Sequence, residues 1–137
     1  MIKLRNMDHA LIELVAPGTV TAAADKDAAI VPFNGFITNI YANCVSGGTG
    51  PTASIADVNK NGTTIFAAAT KVTFAATTGV ATYSAQNVDP TPVSAGDVLS
   101  LDVDSVSTSP KGLVVAILVS RTNPGGATNL ADQTAVL

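Results

Sequence analysis

VSAGDVLSLDVDSVSTSPKGLVVAILV, residues 93–119, is the stretch of sequence that decides the fold. It reads turn, strand, turn, strand, because residues 94–97 and 109–112 carry the Gly, Pro, Ser and Asp typical of turns. Between the turns, residues 98–104 alternate apolar with polar side chains. A period of two predicts a strand with one buried face and one wet face.

The second strand of this stretch has no polar face. Residues 113–119 are Leu-Val-Val-Ala-Ile-Leu-Val, so both sides of the strand favour burial. A sandwich core covers one side, and the other side needs a second cover. The stretch therefore predicts a β-sandwich whose outer surface is partly covered by another molecule, with Val114, Ala116 and Leu118 as candidate interface residues.

The rest of the chain repeats short apolar segments separated by Gly, Pro and Asn. Pro17 and Gly18 are expected to stop the first strand, and Asn61 with Gly62 suits a tight hairpin because both tolerate a positive φ. This pattern predicts an all-β fold, a single antiparallel β-sandwich that is jelly-roll-like, with extended N- and C-terminal arms. The earlier predicted strands are residues 10–15, 28–31, 36–45, 53–58, 63–66, 71–74 and 80–84.

The two ends of the chain differ from the predicted sandwich. We expect an N-terminal arm over residues 1–8, a β-sandwich domain over residues 9–121 and a C-terminal arm over residues 122–137. Neither arm carries enough apolar residues to form a core alone, so each is expected to lie on a neighbour, with disorder as the alternative. The candidate interface residues in the arms are Ile2, Leu4, Met7, Leu130, Val136 and Leu137.

Composition favours a subunit of an assembly. The chain has 137 residues, a net charge of −3 and only 12% charged residues, which fits one domain and disfavours nucleic acid as a partner. Hydrophobic residues make up 47% and aromatic residues 4%, so small apolar side chains dominate. A low charge with much small apolar surface is typical of a tightly assembled subunit, and a well-packed monomer is the alternative.

The sequence shows neither an export signal nor a membrane-spanning stretch. No apolar segment reaches the roughly 18 residues that cross a bilayer. The first nine residues have basic side chains but no apolar core of signal length, and Glu13 interrupts the next apolar run. We therefore expect synthesis in the cytoplasm without a signal peptide and no membrane partner.

The residues that could carry chemistry favour structural roles. Residues 57–62 copy the start of a calcium-binding EF-hand loop, but Ala68 stands where the bidentate Glu is needed, so a hairpin is favoured. Asp102 and Asp104 share a strand face and could serve a glycosidase, although solvated outward charges explain them better. His9 is the single histidine, and no nucleophile motif accompanies it.

Other residues with chemical potential carry weaker signals still. The glycine-rich residues 47–50 lack the Lys and the helix start of a phosphate-binding loop. Cys44, the single cysteine, is expected to be a small buried hydrophobe. Tyr41 and Tyr83 are the aromatic candidates for carbohydrate binding. We therefore expect no catalytic residue, no metal and no cofactor.

Three segments together resemble small structural proteins of tailed bacteriophages. They are KNGTTIF at residues 60–66, VSAGDVLSLDV at residues 93–103 and KGLVV at residues 111–115. Their order is a hairpin, an "AGD" turn into a strand, and a Lys-Gly turn into a last buried strand. This order is similar to the β-sandwich of phage head decoration proteins, head fibres and fibre-tip domains, and the similarity spans residues 36–121.

The resemblance implies a virion protein on the capsid exterior. A decoration subunit of this kind binds the major capsid protein, forms a homo-oligomer, with a trimer favoured, and stabilises the head by cementing the lattice. The resemblance carries no catalytic motif. The alternative within the same group is a head-fibre or fibre-tip module that binds host-surface glycans through Tyr41 or Tyr83. A glycosidase using Asp102 and Asp104 is the third hypothesis.

Overall fold

The computed structural model describes residues 8–66, 71–79 and 81–121, and the side chains of all these except residues 81–90. The described part contains strands and turns and no helix. The strands are β1 (His9–Thr19), β2 (Ala23–Ile30), β3 (Gly35–Ser46), β4 (Ser54–Lys60), β5 (Thr63–Thr64), β6 (Val72–Phe74), β7 (Ala81–Val93), β8 (Val98–Ser105) and β9 (Lys111–Ser120).

The strands form two antiparallel sheets packed face to face, which confirms the all-β sandwich. Sheet A has the order β1-β9-β3-β7, and sheet B has the order β2-β8-β4-β5, with β6 also paired to β4. The buried apolar side chains between the sheets form one core. Its largest fully buried members are Phe74, Leu14, Ile37, Ile40, Leu99, Leu101, Leu113 and Ile117.

The two strands of the deciding stretch form as predicted. In β8, Leu99, Leu101 and Val103 are buried in the core. Strand β9 lies in the middle of sheet A, between β1 and β3. Its odd-numbered residues from 113 to 119 point into the core, and its even-numbered residues 114–118 lie on the outer face and are half-buried.

Two strands run through prolines, and Pro17 was expected to stop the first of them. Strand β1 continues through Pro17 and Gly18, where the pairing register with β9 shifts and Gly18 adopts a φ of 67°. Strand β7 continues through Pro90 and Pro92 to Val93. Both strands lie at an edge of sheet A, where a proline interrupts no ladder on the open side.

Two strands differ from prediction in start or register. Strand β2 begins at Ala23 instead of residue 28, with Asp25 at a φ of 51° and a register shift before Asp27. In β3 the register shifts between Ile37 and Asn39, so the fully buried residue is Ile37 and Phe36 is only half-buried. These local irregularities have no periodic signature in the sequence.

Two further predictions have clear outcomes. The hairpin at Asn61 and Gly62 is confirmed, with φ values of 51° and 84°. Cys44 is confirmed as a buried core residue. Most of both predicted arms, residues 1–7 and 122–137, lies outside the described residues, and the jelly-roll assignment stays a prediction.

Candidate interaction surface

The outer face of sheet A is mostly apolar. Its central strand contributes Val114, Ala116 and Leu118, each half-buried. The flanking strands add Leu11 and Tyr41, which remain 54% and 42% exposed. We call this surface the apolar face, and its residues are Leu11, Val15, Tyr41, Val45, Val114, Ala116 and Leu118.

The strand register arranges these side chains in rows across the sheet. Leu118 lies opposite Leu11, and Ala116 lies between Glu13 on β1 and Tyr41 on β3. Neighbouring strands are about 4.8 Å apart, so the row from Glu13 to Tyr41 spans roughly 10 Å. The result is an apolar strip along β9 and its neighbours, with a small residue at its centre and with Glu13, Asn39 and Asn43 at its margins.

The outer face of sheet B is polar along its centre, and its exposed apolar pair, Ile30 and Val98, lies at one end. Asp57 and Asn59 of β4 share this face with Asp102 and Asp104 of β8. The Asn59 side-chain amide donates to Asp102 Oδ2 over 2.6 Å, and the backbone N–H of Asp25 donates to Asp102 Oδ1 over 2.8 Å. These polar groups are hydrogen-bonded to one another and to the backbone.

Lys71 links two carboxylates on this polar face. Its Nζ lies 2.9 Å from Asp57 Oδ2 and 2.7 Å from Asp104 Oδ2. Asp57 is only 4% exposed and also accepts a hydrogen bond from the Thr64 hydroxyl. Hydrogen bonds to Asp104 and Asp57 raise the pKa of Lys71 above its ordinary value. The ammonium group therefore occupies the position between the acids.

We expect Lys71→Met to lower the free energy of unfolding by about 1–3 kcal/mol, because the buried Asp57 carboxylate loses its cationic partner. The raised pKa means that the contribution of Lys71 is complete below the unfolded value near 10.5 and is lost as the pH rises through the folded value. Urea unfolding of both proteins from pH 7 to 12 should show the difference shrinking only above pH 10.5.

Lys26→Met provides the control for this measurement, because Lys26 is bonded to the Thr21 hydroxyl on the surface. Its substitution should change stability by less than about 0.5 kcal/mol. Equal effects of the two substitutions would contradict the assigned role of Lys71.

The glycine-rich residues 47–50 are used inside the protein. The Gly47 N–H donates to the Gly79 carbonyl, and Thr49 exchanges two backbone hydrogen bonds with Thr108. The buried Ser107 hydroxyl donates to the Gly47 carbonyl over 2.6 Å. These bonds fix the loop against its neighbours. The Gly47 and Thr49 amides are therefore not available to a ligand.

The other candidates fall at separate places. His9 is the exposed first residue of β1, opposite Ser120. Asp57 lies within β4, so residues 57–62 form a strand end and a hairpin instead of an EF-hand loop. The structure does not describe the side chain of Tyr83.

The structure describes three of the nine candidate interface residues. Val114, Ala116 and Leu118 come together on the apolar face. The other six candidates, Ile2, Leu4, Met7, Leu130, Val136 and Leu137, lie outside the described residues. Sequence reasoning missed Leu11, Val15 and Val45, although the alternation of residues 10–15 carried a signal for the first two.

Within residues 8–66, 71–79 and 81–121, no three His, Cys, Asp or Glu side chains are placed to hold a metal ion. The same residues form no helix long and apolar enough to cross a membrane. The sequence matches no known family model, and no curated protein matches it.

Proposed function

We propose that the protein is a structural subunit of a bacteriophage virion, a capsid decoration or cementing protein that binds the outside of the major capsid lattice and stabilises the head. The observation that carries this proposal is the apolar face. Strand β9 is apolar on both sides, and the sandwich covers only one of them. A protein with such a surface gains free energy by docking it on another subunit.

The contrast between the two outer faces supports this proposal. Sheet B carries hydrogen-bonded acids and amides on its outer face, whereas the central row of sheet A carries Ala116 and Tyr41, with Glu13 at its edge. The centres of the two faces therefore differ, while the exposed apolar pair of sheet B, Ile30 and Val98, lies at one end of its face. We assign the apolar face to contacts between copies of the chain, with a trimer favoured.

The fold supports the proposal in a second way. Strands β1, β2, β3 and β4 pass alternately between sheets A and B, and β7, β8 and β9 alternate in the same manner. Such alternation belongs to a jelly roll, an architecture of viral capsid proteins. We therefore propose that the sandwich is a jelly roll.

The proposal is tested with phage particles made without this protein. Purified protein should bind them at saturable sites and raise the temperature at which they release DNA. Deletion of residues 122–137 should weaken this binding while the circular dichroism of the sandwich is retained. Absence of binding by the full chain would contradict the proposal.

Glycan recognition is the second candidate, and the exposure of Tyr41 favours it. Tyr41 is 42% exposed, and Asn43 lies two residues further along β3 on the same outer face. An exposed ring beside an amide suits the apolar and hydroxyl groups of a sugar. A glycan array should then give hits that Tyr41→Ala abolishes, and an array without hits would remove this candidate.

A further inference from the structure

The two ends of the described chain leave the sandwich side by side. The backbone N–H of Arg121 donates to the Asp8 carbonyl over 2.8 Å, directly beyond the His9–Ser120 pair that ends the β1–β9 ladder. Residues 1–7 and 122–137 are joined to these two positions. Both segments therefore start from the same end of the molecule, which we call the terminal pole.

The terminal pole is braced by three loops. The Val31 N–H donates to the Asp97 carbonyl over 2.8 Å, and the Gly96 N–H donates to the Val31 carbonyl over 2.9 Å. The Ala95 N–H donates to Asn34 Oδ1 over 2.9 Å. The loop before β3 and the turn before β8 are therefore held together.

Asn61 adds the third loop to this brace. Its side chain donates to Asp97 Oδ1 over 3.0 Å and accepts from the Val98 N–H over 2.9 Å. The Ser94 N–H donates to the same Asp97 carboxylate, and these bonds lower the pKa of Asp97. The KNG hairpin and the AGD turn, which are distant in sequence, thus form one rigid surface.

One exposed apolar pair lies at this pole. Among the described residues, the five large exposed hydrophobic residues are Leu11, Ile30, Tyr41, Val45 and Val98. Ile30 and Val98 form a cross-strand pair at the terminal pole and are 68% and 41% exposed. Leu11, Tyr41 and Val45 belong to the apolar face, and Val45 lies at the end of β3 that is remote from this pole.

The opposite pole presents small and polar residues in its loops, with Val45 exposed at the adjoining end of β3. Its loops expose Thr49, Gly50, Thr108 and Ser109. Ser54 and Ser107 are buried beneath them and hydrogen-bonded to each other. Among the described residues, the loops of this pole expose no large apolar side chain.

We infer that the terminal pole is the surface by which the protein stands on the capsid shell, with the opposite pole facing solvent. This inference rests on the proposed function and adds its orientation. An extended chain of 16 residues reaches roughly 50 Å, so the segment after Arg121 can span from this pole to a neighbouring shell subunit. The rigid loops and the Ile30–Val98 pair provide the contact between the two chain exits.

Single cysteines test the orientation, because Cys44 is buried and does not compete for the reagent. Ala95→Cys marks the terminal pole, and Thr108→Cys marks the opposite pole, both at exposed positions. Each variant is labelled with maleimide-polyethylene glycol, first as free protein and then bound to particles made without this protein. Binding should slow labelling of Ala95→Cys at least 10-fold and leave Thr108→Cys unchanged.

Each outcome of the labelling experiment supports or overturns the inferred orientation. A folded Ala95→Cys protein that fails to bind, when Thr108→Cys binds, also supports the inference. Protection of Thr108→Cys alone, or of both positions equally, overturns the orientation and leaves the proposed function standing. Protection of Ala95→Cys already in the free protein places the pole between copies and overturns it too. If the wild-type protein does not bind, the proposed function fails and the inference fails with it.

Discussion

Ala116→Lys should dissociate the oligomer while the monomer stays folded. Ala116 lies at the centre of the apolar face, between Glu13 and Tyr41. In the free monomer a lysine there can extend into water along the half-buried surface. In the oligomer the long lysine side chain occupies the contact, and taking its charge out of water together with the neighbouring Glu13 costs about 3 kcal/mol. Association should weaken about 100-fold or more, measured by sedimentation velocity over a concentration series.

Ala28→Lys is the matched control for this experiment. Ala28 is an exposed alanine on the outer face of sheet B, opposite Ser100. The substitution is chemically the same, but it lies on the outer face of sheet B, which we do not assign to contacts between copies. We expect the wild-type oligomer mass and an unchanged melting temperature. Equal dissociation by both variants would show that charge alone is responsible and would remove the apolar face as the contact between copies.

Gly47→Ala should lower the free energy of unfolding by about 3 kcal/mol. A Cβ at this position would overlap the Ala75 carbonyl oxygen and crowd the backbone of Thr77. Both neighbours are backbone, so the strain cannot be relieved by rotating a side chain. The same substitution also disturbs the hydrogen bond from Ser107 to the Gly47 carbonyl. Urea unfolding monitored by circular dichroism measures the change.

Gly79→Ala is the control in the same region. An added Cβ at Gly79 meets nothing within 4 Å, and neither glycine adopts a left-handed backbone conformation. We expect a change within about 0.5 kcal/mol. A Gly47→Ala protein of wild-type stability would contradict the close approach of the two backbones. It would also return residues 47–50 to consideration as a ligand loop.

Local patterns predicted the elements whose burial is periodic. The alternation in residues 98–104 and the continuous apolar run in residues 113–119 gave β8 and β9, because the core and the outer face impose a period of two. The same run also pointed to the outer side of β9 as a candidate surface. The Asn61 hairpin followed from the φ values that Asn and Gly tolerate.

Long-range pairing was beyond sequence reasoning. Lys71 joins carboxylates 14 and 33 residues away, and no local pattern links them. The Asn61 and Asp97 turns were recognised separately, but only the fold shows their side chains hydrogen-bonded. The sequence also does not show which strands lie at the edge of a sheet. Pro17 was therefore expected to end strand β1, although the strand continues through it.

The central claim is that another copy of the chain covers the apolar face. An electron cryomicroscopy map of the intact particle tests it most directly. We predict that Leu118, Ala116 and Tyr41 of each copy lie against a neighbouring copy, with three copies around one axis. A map in which this face of sheet A borders solvent in every copy would contradict the account.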